Sequence, residues 1–157
     1  MKKDKTFHYT NPEMVKDLIA LIPLRETDTI LDAGSGQNKI WYNSVPNNEK
    51  CECEIEDGCD FLMWDKKIDW VIGNPPFHLG WLFLEQASKV ANRGIAFLGN
   101  LNFWNSCLPN RFEKLKEKGF YLQKIIIVQD KRWFGRYYYL IFTKENNDFI
   151  EWNIQTF

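Results

Sequence analysis

Residues 27–37 read "TDTILDAGSGQ" and residues 68–77 read "IDWVIGNPPF". Each is an apolar run with the composition of a buried strand. Each then ends in residues that dictate backbone geometry: an acid and two glycines in the first, an asparagine and two prolines in the second. Three more runs read as strands, "GIAFLGN" (94–100), "LQKIIIVQ" (122–129) and "RYYYLIFTK" (136–144), and "KCECEIEDG" (50–58) alternates like one. Helical patterns lie between them. "YTNPEMVKDLIALIP" (9–23) opens with a capping-box pair, Thr10 and Glu13, carries Pro12 at its start and spaces Val15, Leu18, Ile19 and Ile22 along one face. Leu79–Asn92 and "NRFEKLKEKG" (110–119) read as helices, and "NKIWYNSVP" (38–46) as a short helix or loop. This alternation predicts an α/β fold, a mostly parallel sheet covered by helices. In such a sheet the ligand crevice lies beyond the carboxyl ends of the strands, so "DAGSG" and "NPPF" are expected on one rim.

The 157 residues are 45% hydrophobic, enough for one domain with a real core. Nothing in the chain approaches the roughly 20 apolar residues of a membrane span, and the start lacks the apolar stretch of a secretory signal. The expectation is a soluble protein, cytoplasmic or otherwise intracellular. Cys51, Cys53, Cys59 and Cys107 lack the paired spacing of a zinc site and are too few for a disulfide scaffold. Reduced structural thiols and no bound metal are expected. The net charge of −1 conceals an asymmetry: nine Lys/Arg against three Asp/Glu between Arg111 and Lys144, with 11 against 18 elsewhere. The basic part can attract phosphate or form a solvated helix face.

Gly34 and Gly36 allow positive φ and close backbone approach to a ligand, while Asp32 ends the strand. Lys39 stands where the third glycine of G-x-G-x-x-G would fall, so the turn also reads as an ordinary strand-to-helix connection. Glu54 lies near the roughly 20-residue offset at which an acid meets ribose hydroxyls; Glu56 competes for the role, and "ECEIED" also reads as an acidic edge strand. Asp60 can accept from an adenine amino group, and Phe61 can cover the ring or fill the core.

The "NPPF" chemistry is more particular. The exocyclic nitrogen of a purine shares its lone pair with the ring and is a poor nucleophile. The Asn74 side-chain carbonyl and the Pro75 main-chain carbonyl can accept its two N–H bonds and draw the nitrogen toward tetrahedral geometry. Pro75 and Pro76 fix φ and remove competing donors. Phe77 offers a face for a flipped base, worth roughly 1–3 kcal/mol. A bare "NPP" also reads as a helix-initiating turn with a buried phenylalanine.

"DAGSG", then Glu54–Phe61, then "DWVIGNPPF", taken in order, resemble the S-adenosylmethionine-dependent amino-methyltransferases, particularly the DNA adenine-N6 group. The resemblance spans roughly residues 7–143. It implies a Rossmann-like seven-stranded sheet with one antiparallel strand and helices on both faces. It implies S-adenosylmethionine as cofactor, with Asp32, Ala33, Gly34 and Gly36 around the methionine part, Glu54 on the ribose, and Asp60 and Phe61 on the adenine. Phe7, Thr10 and Pro12 would sit beside the methionine carboxylate, Asn74 would border the cofactor, and Asn74, Pro75, Pro76 and Phe77 would form the catalytic loop. The implied activity is methylation of adenine N6 in nucleic acid, DNA ahead of RNA, with two alternatives: methylation of protein glutamine, or a catalytically idle subunit of a modification complex. Residues 1–157 are expected to form one methyltransferase domain without a separate target-recognition domain, so that a partner subunit could supply recognition. "QDKRWFGRYYY" (129–139) interleaves Lys131, Arg132 and Arg136 with aromatics, which suits phosphate contact and base stacking or a plain aromatic hairpin.

Overall fold

In the computed structural model, which describes residues 10–131 and 135–146, the two quoted stretches become neighbouring strands. β1 (Ile30–Ala33) and β3 (Ile68–Gly73) pair in parallel, Asp32 opposite Ile72. β2 (Lys50–Cys53) flanks β1 and β4 (Ala91–Asn100) flanks β3, both parallel. β5 (Tyr121–Val128) and β6 (Tyr137–Thr143) complete the order β2-β1-β3-β4-β6-β5, with β6 running antiparallel to both its neighbours. After β1 the chain moves outward to β2, then returns past β1 to β3. The strand order therefore reverses between β1 and β3, where open α/β sheets place their crevice.

Among the described residues the sheet has six strands, not the seven expected from the resemblance. A parallel crossover takes a dozen or more residues. Residues 54–67, between β2 and β3, hold only two short 3₁₀ turns, Ile55–Asp57 and Phe61–Met63, and leave no room for another strand and its crossovers. "KCECEIEDG" likewise contributes only Lys50–Cys53 to the sheet. Cys59 N–H bonds back to the Glu54 carbonyl (3.0 Å), and Gly58 takes φ +85°. This reversal brings the Cα atoms of Cys53 and Cys59 to 5.2 Å, and the two are joined by a disulfide, correcting the expectation of four reduced thiols.

Strand alternation sorts the core onto two faces. Ile30, Trp70, Ile72, Leu98, Tyr139 and Ile141 face one way, covered by α1 (Pro12–Ala20) and α2 (Ile40–Ser44). Leu31, Val71, Ile95, Phe97, Leu140 and Phe142 face the other, covered by α3 (Gly80–Val90), α4 (Leu101–Ser106) and α5 (Pro109–Glu117). α1 is capped by Asn11, whose side chain accepts the Glu13 N–H at 2.9 Å, rather than by Thr10. That leaves Thr10, 6% exposed, available to face the crevice. No described helix is long and apolar enough to cross a membrane.

Candidate active site

A cavity of about 490 Å³ opens at the strand reversal. Its walls come from the turn after β1, the segment after β2 and the loop after β3, so the two sequence motifs share one rim. Gly34 donates its N–H to the Cys53 carbonyl (2.8 Å), and Gly36, at φ +67°, donates to Glu54 Oε2 (2.6 Å). A side chain at Gly36 would meet nothing within 4 Å, so the turn presents bare backbone to open space. Lys39, at the position of the missing glycine, takes the left-handed conformation a glycine would favour (φ 48°, ψ 40°). Ion pairs to Glu52 (2.5 Å) and Asp57 (3.3 Å) hold it there.

Gly73 closes the floor. Its φ is +140°, and a Cβ there would lie 2.9 Å from the Ala33 carbonyl oxygen and 3.0 Å from Asp32 Oδ1. Only glycine lets the Asn-Pro-Pro-Phe loop leave β3 so close to β1. Asp32 is 1% exposed; its Oδ2 accepts the Tyr42 N–H at 2.9 Å and its Oδ1 has no partner. Burial pushes its carboxyl up to about 7, the Tyr42 bond opposes this, and Glu52 and Glu54 add to the rise.

Of the residues singled out in the sequence, Thr10, Gly34, Gly36, Glu54, Asp60, Phe61, Asn74, Pro75, Pro76 and Phe77 line this cavity. Asp32 and Ala33 lie beneath the glycine turn rather than on the wall, and exposed Pro12 opens α1 away from it. Lys131 and Arg136 are exposed and also off the wall. Arg136 precedes Tyr137, which pairs with Asn100 at the carboxyl end of β4, so it stands on the same rim as the "NPPF" loop. Phe7 and Arg132 lie outside the described residues. Glu54 rather than Glu56 spans to the glycine turn; Glu56 accepts from Gln37 (3.1 Å) in an exposed contact.

At the "NPPF" loop, Pro76 O accepts the Leu79 N–H (2.9 Å), which starts a 3₁₀ turn over Phe77–Leu79. Among the described residues no donor reaches the Pro75 carbonyl. Asn74 Nδ2 lies 3.5 Å from Thr10 Oγ1, while Asn74 Oδ1 is shut off from solvent and has no partner. A buried acceptor without a donor costs about 1–3 kcal/mol, recoverable when a donor arrives. The last side-chain torsion of asparagine is broad, so turning Oδ1 toward the mouth is an easy motion. Phe77 is half-buried and meets Tyr137 edge-on, ring centroids 5.8 Å apart, which leaves part of the ring for a ligand.

Sequence reasoning missed several wall residues. Trp41 lines the cavity with its indole N–H buried and without a partner among the described residues, and the short 38–46 stretch carried no motif that pointed to it. Ile55, 67% exposed, and Leu62 supply apolar surface beside Phe61. Together these residues fit an adenosyl amino acid: Glu54 for ribose hydroxyls, Ile55, Phe61 and Leu62 for a base, and the orphan Trp41 donor with Thr10 for a carboxylate.

No protein-family model matches the chain, and no curated protein matches it. Solved structures do. The 23S rRNA methyltransferase ErmE superposes with a TM-score of 0.67 at 11% identity, covering 90% of this chain and 71% of that one. Precorrin-6y C5,15-methyltransferase from Geobacter metallireducens gives 0.63 at 14%, covering 87% and 90%. Magnesium protoporphyrin IX methyltransferase from Synechocystis, solved with bound S-adenosylmethionine, gives 0.57 at 12%, covering 85% and 77%. The chain has the fold of the S-adenosylmethionine-dependent methyltransferases. Within that fold its described residues form six strands, and the strand reversal carries a glycine turn and an Asn-Pro-Pro-Phe loop.

Proposed function

We propose that the protein transfers a methyl group from S-adenosylmethionine to the exocyclic N6 amino group of adenine in nucleic acid, DNA ahead of RNA. One observation carries the reading: two adjacent acceptors, Asn74 Oδ1 and the Pro75 carbonyl, lack donors among the described residues, at the edge of a cavity that also holds the glycine turn. Two acceptors match the two N–H bonds of an amino group. Bound S-adenosylmethionine supplies a methyl already activated by its sulfonium, so no covalent enzyme intermediate is needed. What remains for the chain is placement and lone-pair exposure. Asn74 and Pro75 hold the amino hydrogens, the prolines keep the carbonyl directions fixed, and Phe77 packs against the base. Cys107 has no part in this; it is buried and its thiol is pushed up to about 12 by burial. Lys131 and Arg136 would meet backbone phosphate at the same rim.

DNA is put first by the "NPPF" resemblance, and the rRNA substrate in the name of ErmE makes RNA the next candidate. The test is methyl-labelled cofactor incubated with duplex DNA, single-stranded DNA, RNA and protein extract, followed by mass analysis of the modified unit. N6-methyladenine is expected. Methylglutamine would replace this reading with the protein-amide alternative, and transfer that needs an added partner would support the subunit alternative. Asn74→Ala should lower turnover about 100-fold or more, the scale of losing one preorganised polar contact, with cofactor affinity kept. Equal rates for the two proteins would remove Asn74 from the mechanism.

A further inference from the structure

The segment that forms the ribose and adenine side of the cavity is closed on itself by a covalent bond. Cys53 ends β2 and Cys59 follows the Ile55–Asp57 turn; both line the cavity. Between them stand Glu54, Ile55 and Glu56, and directly after them Asp60 and Phe61, all on the same wall. None of Ile55–Asp57 is buried, so the turn has no core anchor of its own. It is held by three local backbone bonds, by the Glu54 bond to Gly36, by the exposed Gln37–Glu56 and Lys39–Asp57 contacts, and by the bridge. A disulfide whose sulfurs border a ligand cavity is open to thiol exchange there, and its state bears on the wall it closes.

We propose that the Cys53–Cys59 bridge is a reversible redox clasp on cofactor binding: closed, it fixes the wall that receives the adenosyl group; opened, it frees that wall and weakens the cofactor. The inference rests on the reading of the cavity as an adenosyl site.

The two sulfurs differ in access. Cys53 is 1% exposed, whereas Cys59 is half-buried on the cavity side. A thiolate of a dithiol reductant therefore attacks the Cys59 sulfur. The S–S bond breaks, its electron pair leaves on Cys53, which takes a proton, and a mixed disulfide forms at Cys59. The second thiolate of the reductant then displaces Cys59, which also takes a proton. The protein gains two electrons and two protons, and the reductant leaves as a cyclic disulfide. The Cys59 carbonyl oxygen, 3.1 Å from the Cys53 sulfur, is in place to accept the new S–H. Cys51 is a poor internal competitor, because burial raises its thiol and keeps it protonated. Linkage makes the effect reciprocal: if reduction weakens the cofactor by some factor, bound cofactor must resist reduction by the same factor.

The experiment titrates S-adenosylhomocysteine into the full chain by calorimetry, air-oxidised and then reduced with dithiothreitol. Peptide mass mapping after alkylation follows the Cys53–Cys59 bond. At least tenfold weaker binding to the reduced protein is expected, and Cys53→Ser/Cys59→Ser should bind like the reduced protein under both conditions. Saturating S-adenosylhomocysteine should shift the dithiothreitol midpoint of the bridge toward stronger reductant by the same factor. Equal affinity in both redox states, or oxidised protein without the bond, overturns the clasp while leaving the cofactor reading intact. No binding to either form overturns the cofactor reading and the clasp with it.

Discussion

Asp32→Asn separates the charge of the buried acid from its hydrogen bonding. In the wild type the carboxyl is pushed from 3.8 up to about 7 by burial at the end of β1. A folded-state value above the unfolded one means the associated stability is complete below about pH 4. It is lost as pH rises toward 7 and unchanged beyond, because the unfolded chain releases the proton that the folded chain keeps. The gap of about three pH units, at 1.36 kcal/mol each, puts the loss at about 4 kcal/mol. About 3 kcal/mol of that falls between pH 5 and pH 8. Asparagine retains an oxygen for the Tyr42 N–H, now 2.9 Å from Asp32 Oδ2, and has no charge to desolvate. The variant should therefore gain on the wild type by about 3 kcal/mol from pH 5 to pH 8, or roughly 10 °C in relative Tm for a chain of this length. Thermal unfolding of both proteins across that range measures it, and other titrating groups cancel in the difference. Parallel Tm curves would show that the acid is not held neutral by burial.

Three further substitutions follow from the packing. Gly80→Ala places a methyl 2.1 Å from the Phe103 ring and should cost about 1–3 kcal/mol in chemical denaturation, with partial recovery on adding Phe103→Leu. Gly73→Ala, strained at φ +140° and blocked by the Ala33 carbonyl, should cost about 2 kcal/mol or more and lower cofactor affinity measured by calorimetry. Arg93→Ala strips the ion pair from Asp28, which is 3% exposed, and should cost about 3 kcal/mol by urea unfolding.

Much of this architecture was legible because its signals are local. The six strands among the described residues are the five apolar runs and the one alternating stretch readable in the sequence; the seventh came from resemblance, and the short 54–67 connection leaves no place for it between β2 and β3. The placement of "DAGSG" and "NPPF" on one rim followed from parallel topology before any likeness was invoked. What escaped reading depends on three-dimensional closure. Nothing in a five-residue spacing announced that Cys53 and Cys59 would meet, because the reversal comes from Gly58 and the Cys59–Glu54 backbone bond. Thr10 and Asn11 are both good caps, and the choice between them turned on which side chain reached Glu13. α4 was missed because "LNFWNS" is too short for a periodicity, and it is set by the Asn100 cap and the seat that Gly80 and Gly99 make for Phe103. Lys39 read as a defect in the glycine motif, yet Glu52 and Asp57 hold it in the conformation that the missing glycine would adopt.

The charge asymmetry gains a physical sense from where the acids fall. Glu52, Glu54, Glu56, Asp57 and Asp60 cluster on or just behind one side of the cavity, and among the described residues Lys39 is the cation that pairs with them. The excess of Lys and Arg lies between Arg111 and Lys144, and Arg136 stands at the opposite end of the rim. Under the proposed reading the two fields serve two ligands of opposite sign. The acidic side suits a cofactor bearing a sulfonium and an ammonium, and the basic side suits phosphate. On that reading a polyanion would be repelled from the adenosyl end and drawn to the mouth, where the Asn74 and Pro75 oxygens would meet its amino group. If that reading holds, the separation would let a chain of near-zero net charge orient a nucleic acid, because local fields at the rim, rather than the total, decide which ligand approaches from which side.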